Sequence, residues 1–170
     1  MTQLIVGIDP GLHGGIAFFN TSPGGFTLDA FPLPTFTTKA GKKQKTHLDP
    51  VELGKIIDCQ TNSMTCHVFL EKVGAMPGQG VCSMFAFGEA YGMIQGIIGA
   101  LCLPITFVTP QVWKKALGVH GDKDASRARA TQLFPKSAGL WSRVKDDGVA
   151  EAALIAEYGF RSLFGEGRAE

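Results

Sequence analysis

Charge is scarce in this 170-residue sequence, and what there is nearly cancels. Sixteen Lys and Arg face 15 Asp and Glu, leaving a formal net charge of +1. That excludes a generally basic binder of polyanions, so any contact with nucleic acid must come from local patches. Cysteine is sparse as well. Cys59, Cys66, Cys82 and Cys102 form no CxxC pair and have no histidine at zinc-ligand spacing. The four are expected to be reduced thiols, mostly core fillers, in a reducing compartment. No basic segment followed by a small-residue cleavage site opens the chain, so no secretory leader is expected. Long apolar runs are lacking: the stretch near Gly92–Leu103 is glycine-rich and too short for a membrane span. Nor is there an internal repeat or a linker.

What is present suits an ordered domain. Hydrophobic residues make up 45% and charged residues 18%, ordinary values for a globular chain. The length fits one domain over 1–170 with a substantial core. Phe supplies 12 of the aromatics, against two Trp and two Tyr, which suits packing between sheet and helices.

The chain is organised around Leu4-Ile5-Val6-Gly7-Ile8-Asp9-Pro10-Gly11. An apolar run halted by Pro-Gly reads as a buried strand. A lone carboxylate at its tip is costly unless something pairs with it. An Asx-type turn through nearby backbone N–H groups is one such partner, and a cation is another. Gly14–Phe19 and Phe26–Phe31 read as two further strands, best paired antiparallel through short turns. Pro32–Thr46, which holds Lys39, Lys42, Lys43 and Lys45, is too polar for core. It is expected to be a solvated loop or a flexible arm that grips phosphate.

Asp49-Pro50 opens a helix, with Asp49 suited to the N-cap and Pro50 to the first position. His67-Val68-Phe69-Leu70-Glu71 then repeats the opening pattern, an apolar run ending in an acid before a Gly/Pro-rich loop at 74–80. A long helix is expected over Ser83–Leu101. Its Gly88, Gly92 and Gly96 fall four apart on one stripe, which points to close packing against the sheet or, less favoured, a second copy of the helix. Pro104–Val108 is the fifth strand and Gln111–Leu117 a short helix. Asp122–Phe134 is an amphipathic helix with Ala125, Ala128 and Leu133 inward. A polar stretch, Lys136–Lys145, precedes a final helix from Asp146, built of small apolar residues behind an acidic first turn.

This order predicts an α/β domain with a five-stranded mixed sheet, three strands antiparallel and two parallel, flanked by helices. Strands ending in Asp9 and Glu71 would lie side by side, and ligand sites in such sheets gather at the carboxyl ends of strands. Asp147 and Glu151, spaced i,i+4, share one face of the last helix. Docking that helix through Val149, Ala152, Ala153 and Ala156 would deliver both acids to the same edge. Asp146 competes with Asp147 for the third place; helix capping is the plainer role for either. Four crowded carboxylates repel, and divalent cations relieve that. An all-oxygen donor set favours Mg²⁺ or Mn²⁺ over zinc, and two ions can hold both the attacking water and the leaving oxygen of a phosphodiester.

The string Ile8-Asp9-Pro10-Gly11 with Gly14-Gly15 resembles the opening of RuvC-type Holliday junction resolvases, which have a ribonuclease H-like fold. The chloroplast and phage-type branch is the most similar. The likeness continues through Glu71, Met76-Pro77-Gly78-Gln79-Gly80-Val81, Phe85, Phe87-Gly88 and Gly92. Val112-Trp113-Lys114, Lys123-Asp124, Arg127 and Leu133-Phe134-Pro135 follow, then Lys145-Asp146-Asp147-Gly148, Glu151 and Tyr158-Gly159. These residues span 4–159.

The resemblance implies a homodimeric endonuclease that nicks four-way DNA junctions symmetrically, with Asp9, Glu71, Asp147 and Glu151 holding two Mg²⁺ or Mn²⁺ ions. It implies phosphate contacts from Lys39, Lys42, Lys43, Lys45, Lys114, Lys115, Lys123, Arg127, Arg143 and Lys145, which position without reading bases. Met76 and Gln79, with Phe85, are placed at the junction centre, while Phe87 is expected in the core. The surroundings implied are bacterial or phage-infected cytoplasm, or an organelle once a transit peptide is removed, with no membrane partner. A catalytically silent junction binder and a ribonuclease H-like nuclease for RNA–DNA hybrid or other branched DNA are the alternatives.

Overall fold

Residues Gln3–Asp9 form β1, and five successive residues of it are buried on both faces. A strand so enclosed must be central, and it is. The computed structural model describes residues 3–41, 43–61, 65–75, 78, 80–121 and 123–165, with side chains of Ala40, Lys43 and Lys123 set aside. In it β2 (Gly15–Ser22) and β3 (Gly25–Pro32) follow as antiparallel neighbours of β1. β6 (Thr65–Glu71) and β7 (Ile105–Val108) pair parallel on the other side of β1. The sheet order is β3-β2-β1-β6-β7, the expected five-stranded mixed sheet. Helices reach the parallel strands: α1 (Pro50–Thr61) precedes β6, and α2 (Val81–Ala100) precedes β7. Asp49 accepts from the N–H groups of Val51 and Glu52 at 3.1 and 3.0 Å, the capping that its position predicts.

Segment 32–46 is no loop. It carries most of a separate two-stranded hairpin, β4 (Thr35–Ala40) and β5 (Lys43–Leu48). Its strands hide from a search for apolar alternation because both are polar. They are held instead by the ladder, by Thr38 Oγ1 against His47 Nε2 at 3.1 Å, and by the stacked Phe36 and His47 rings. The buried Leu33 and Leu48 anchor its base.

Alternate residues of each strand feed two cores. Leu4, Val6, Ile8, Val68 and Leu70 face α1 and α2. Ile5 and Phe69 face the other side. There α3 (Pro110–Leu117), α4 (Lys123–Leu133) and α5 (Asp147–Phe164) collect, with 3₁₀ turns at Pro135–Trp141 and Val144–Asp146. Three expectations fail here. Of the four cysteines only Cys66 is buried. Phe87 is half-buried, lining a cleft of about 280 Å³ with Val73, Pro110 and Gln111 rather than filling the core. α4 turns Ser126 and Ala130 fully inward and leaves Ala128 exposed.

The glycine stripe does not meet the sheet. Among the described residues, nothing lies within 4 Å of a Cβ built at Gly88, Gly92 or Gly96. α2 meets the sheet through Ala90, Ile94 and Ile98 instead, and its glycines look away. The helix is also longer than the apolar stretch suggested: twenty residues, long and apolar enough to cross a membrane by length and composition. Its seating on the sheet through those three residues is that of a layer helix.

Candidate active site

Two strand ends define the site. β1 and β6 pair in register up to Ile8 opposite Leu70, so the next residue on each strand is an acid. In a parallel pair such neighbours share a face. Ile5 and Phe69 mark that face as the one covered by α5, so Asp9 and Glu71 are turned toward the helix.

α5 is pressed unusually hard onto the sheet. A Cβ built on Gly7 would overlap the Ala152 carbonyl oxygen and the Ala156 nitrogen. One on Gly148 would overlap the backbone of His13 and Gly14. A lone parallel bridge joins Gly14 to Gly148. Backbone therefore lies on backbone, and only residues without a side chain allow it. The consequence is positional: the first turn of α5, bearing Asp147 and Glu151, is brought beside the end of β1.

Electrostatics report the meeting of the four acids. The Asp9 carboxyl is pushed up to about 8, first by burial and then by the like charges of Glu71, Glu151 and Asp147. Its own backbone partner, the Gly11 N–H, stands at 3.5 Å, a marginal hydrogen bond that opposes the shift weakly. The Asx turn is thus present but minor. Glu71, 7% exposed, is also raised by burial, with Trp113 and Lys114 opposing. Trp113 Nε1 donates to Glu71 Oε1 at 2.8 Å. Glu151 Oε1 accepts from Lys114 Nζ at 2.9 Å and from Ser126 Oγ at 2.8 Å. Lys114 Nζ also lies 5.1 Å from the centre of the Trp113 ring.

The ambiguity between adjacent aspartates has a structural answer. Asp146 is turned away into a two-point pair with Arg143, at 2.8 Å from Nε and 2.9 Å from Nη2. That guanidinium holds the Asp146 carboxyl below the usual range. Asp146 is thus engaged by Arg143 in this arrangement, whereas Asp147 acts electrostatically on Asp9.

The basic residues scatter into several roles. Lys39 and Lys45 are exposed on the hairpin, where the pairing puts them on opposite faces: Lys39 beside Gln44, Lys45 beside Thr38. Lys115 and Lys145 are exposed. Lys114 is paired with Glu151 in the acid cluster, its side chain still partly exposed. Arg143 is committed to Asp146, and Arg127 pairs with Asp124 one turn away. Lys42, Met76 and Gln79 lie outside the described residues, as do the side chains of Lys43 and Lys123. Phe85 stands 73% exposed near the start of α2.

Sequence reasoning missed Ser126 and the part played by Trp113. A serine among alanines gives no signal, and a tryptophan in a short helix reads as core until its N–H is seen on an acid.

The donor set suits a hard divalent cation: carboxylate oxygens alone, with Asp9 burdened by three like charges and Lys114 the counter-charge bonded among them. Among the described residues, no three such side chains yet converge closely enough to hold an ion as they stand.

No protein-family model matches the sequence, and no curated protein matches it. Solved structures do match in fold. Thermus thermophilus RuvC in complex with a Holliday junction substrate superposes with a TM-score of 0.57 at 13% identity, covering 97% of this chain and 98% of that one. Another Thermus thermophilus RuvC structure gives 0.55 at 15% identity, covering 99% of both chains. The yeast mitochondrial Holliday junction resolvase Ydc2 gives 0.57 at 13%, covering 95% of this chain and 81% of that one. Identities so low speak for architecture alone. The chain has the ribonuclease H-like fold of the RuvC resolvases.

Proposed function

We propose that this protein is a divalent-cation-dependent, structure-selective endonuclease that resolves four-way DNA junctions by paired nicks. The observation that carries the reading is Asp9: a half-buried carboxylate at the tip of the central strand, with Glu71, Asp147 and Glu151 brought around it by β6 and α5. The ordered motifs from residue 4 to 159 support the chloroplast and phage-type branch in particular.

Asp9, Glu71, Asp147 and Glu151 would hold two Mg²⁺ or Mn²⁺ ions. Such ions, when bound, stabilise the attacking and leaving oxygens of a phosphodiester as Lewis acids. The protein supplies the rest. The acids fix where the scissile phosphate sits, Lys114 adds positive charge at the same spot, and the packed face behind Glu71 excludes water. Lys39 and Lys45 on the hairpin, with Lys115 and Lys145, offer phosphate contacts for the arms.

A two-fold substrate calls for a two-fold protein. The outward face of α2 supports a homodimer: a glycine stripe with open space before it, flanked by the exposed Val81 and Phe85. Gly92→Leu would fill that stripe, and sedimentation is expected to show monomers where the wild type gives dimers.

The deciding experiment maps cleavage on an immobile junction, a fork and an RNA–DNA hybrid with Mg²⁺, for wild type, Asp9→Asn and Glu71→Gln. Symmetric nicks in the junction by wild type alone, with junction binding kept by both variants, are expected. Preference for hybrid or fork would move the reading to another ribonuclease H-like activity. Binding without cleavage would make the protein a silent junction binder.

A further inference from the structure

Two of the four acids are held by helices that carry no acid of the cluster. Trp113, on α3, is fully buried, and its N–H is spent on Glu71 at 2.8 Å. Ser126, on α4, is also fully buried, and its hydroxyl is spent on Glu151 at 2.8 Å. Neither bond is needed for packing. A phenylalanine would fill most of the volume of Trp113, and an alanine most of that of Ser126. Buried donors can be satisfied by any carbonyl nearby; here both end on carboxylates that converge on one strand edge.

The physical effect is on rotamers. A glutamate side chain has three rotatable bonds, and ordering it costs free energy when a ligand arrives. A donor fixed in the core sets that geometry beforehand. Such outer partners typically change metal affinity or activity 10–100-fold.

We infer that Trp113 and Ser126 are positioning residues of the candidate cation site, the indole N–H setting Glu71 and the hydroxyl setting Glu151 so that both acids face Asp9 before an ion binds. The inference rests on the nuclease reading above and adds residues that touch neither ion nor DNA. Lys114, bonded to the same Glu151 oxygen, is the exchangeable member of the bracket: its ammonium is partly exposed and can turn to a phosphate, while the two buried donors stay.

The test uses the full chain as wild type, Trp113→Phe and Ser126→Ala. Mn²⁺ binding is measured by electron paramagnetic resonance, junction binding in EDTA by gel shift, and Mg²⁺ dependence by cleavage. Each variant is expected to bind Mn²⁺ about 10–100-fold more weakly, to need correspondingly more Mg²⁺ for half-maximal cleavage, and to bind junctions in EDTA as wild type does. Recovery of cleavage at high Mg²⁺ separates positioning from loss of a reacting group. Unchanged Mn²⁺ affinity in both variants overturns the inference while leaving the nuclease reading intact. Wild type that neither binds Mn²⁺ nor cleaves overturns both. Should Trp113→Phe fail to fold, Trp113 fluorescence in Trp141→Phe decides: quenching by Mn²⁺ supports the inference, and a silent indole overturns it.

Discussion

α2 and α5 are both long, both rich in Gly and Ala, and both lie across the same sheet, yet they use small residues for opposite ends. Ten of the eighteen residues of α5 are buried, against three of twenty in α2. On α5 the missing side chains let two backbones touch, at Gly7 and Gly148. On α2 the missing side chains face open space. Glycine content alone therefore says nothing about which way a helix faces. The inner contact fixes where two carboxylates land, while the outer one leaves a flat apolar strip at the surface.

That contrast can be broken from either side. The largest effect is expected at the inner contact. Gly7→Ala must push α5 off β1, and overpacking of this kind costs roughly 3 kcal/mol. Urea unfolding should show the loss, and cleavage should fail with it because Asp147 and Glu151 move away from Asp9. Next comes Asp9→Asn, with the opposite sign. Burial and like charges raise the Asp9 carboxyl to about 8, so the folded state holds a proton that the unfolded chain releases near pH 4. The wild type therefore loses stability as pH rises from about 4 to about 8. In EDTA, Asp9→Asn should melt higher than wild type at pH 8.5, and the gain should fade toward pH 4, even though the variant is expected to cleave nothing.

Smaller still is the lock before α5. Arg143→Ala leaves the buried Asp146 without its two-point partner. Asp146 has a depressed carboxyl, so the pair stabilises the fold above the normal carboxylate range and ceases to as acid protonates it. The variant's melting point should fall below wild type at pH 7, with the gap closing below about pH 4. The smallest change belongs to α2. Within one protomer Gly92→Ala should stabilise α2 by up to about 1 kcal/mol, since no described atom of the same chain stands where the new methyl goes. A cost as large as that of Gly7→Ala would erase the difference between the two helices.

Two of the acids were legible because each sits where an apolar run stops, at Asp9 before Pro-Gly and at Glu71 before a glycine-rich loop. Sheet order followed from the same runs and the helices between them. Other features leave no such trace. The hairpin 35–48 has no apolar face, so its pairing comes from Thr, His and Phe side chains whose meeting needs three dimensions. The difference between Asp147 and Asp146 needed Arg143, three residues before Asp146, whose guanidinium binds that buried carboxylate at two points. The inward face of α4 was misjudged because an alanine looks more like core than a serine does. Ser126 is buried for its bond to Glu151, not for its polarity.

The bridge between Gly14 and Gly148 joins the turn after β1 to the start of α5, more than a hundred residues later. During synthesis β1, β2 and β3 can pair long before α5 exists, but the edge they present lacks two of its four carboxylates. The acid cluster is thus incomplete until α5 has been made and has docked on the sheet. A chain cut before Asp147 would leave Ile5, Ala17 and Phe69 without the helix that packs on them, and its sheet open to proteases.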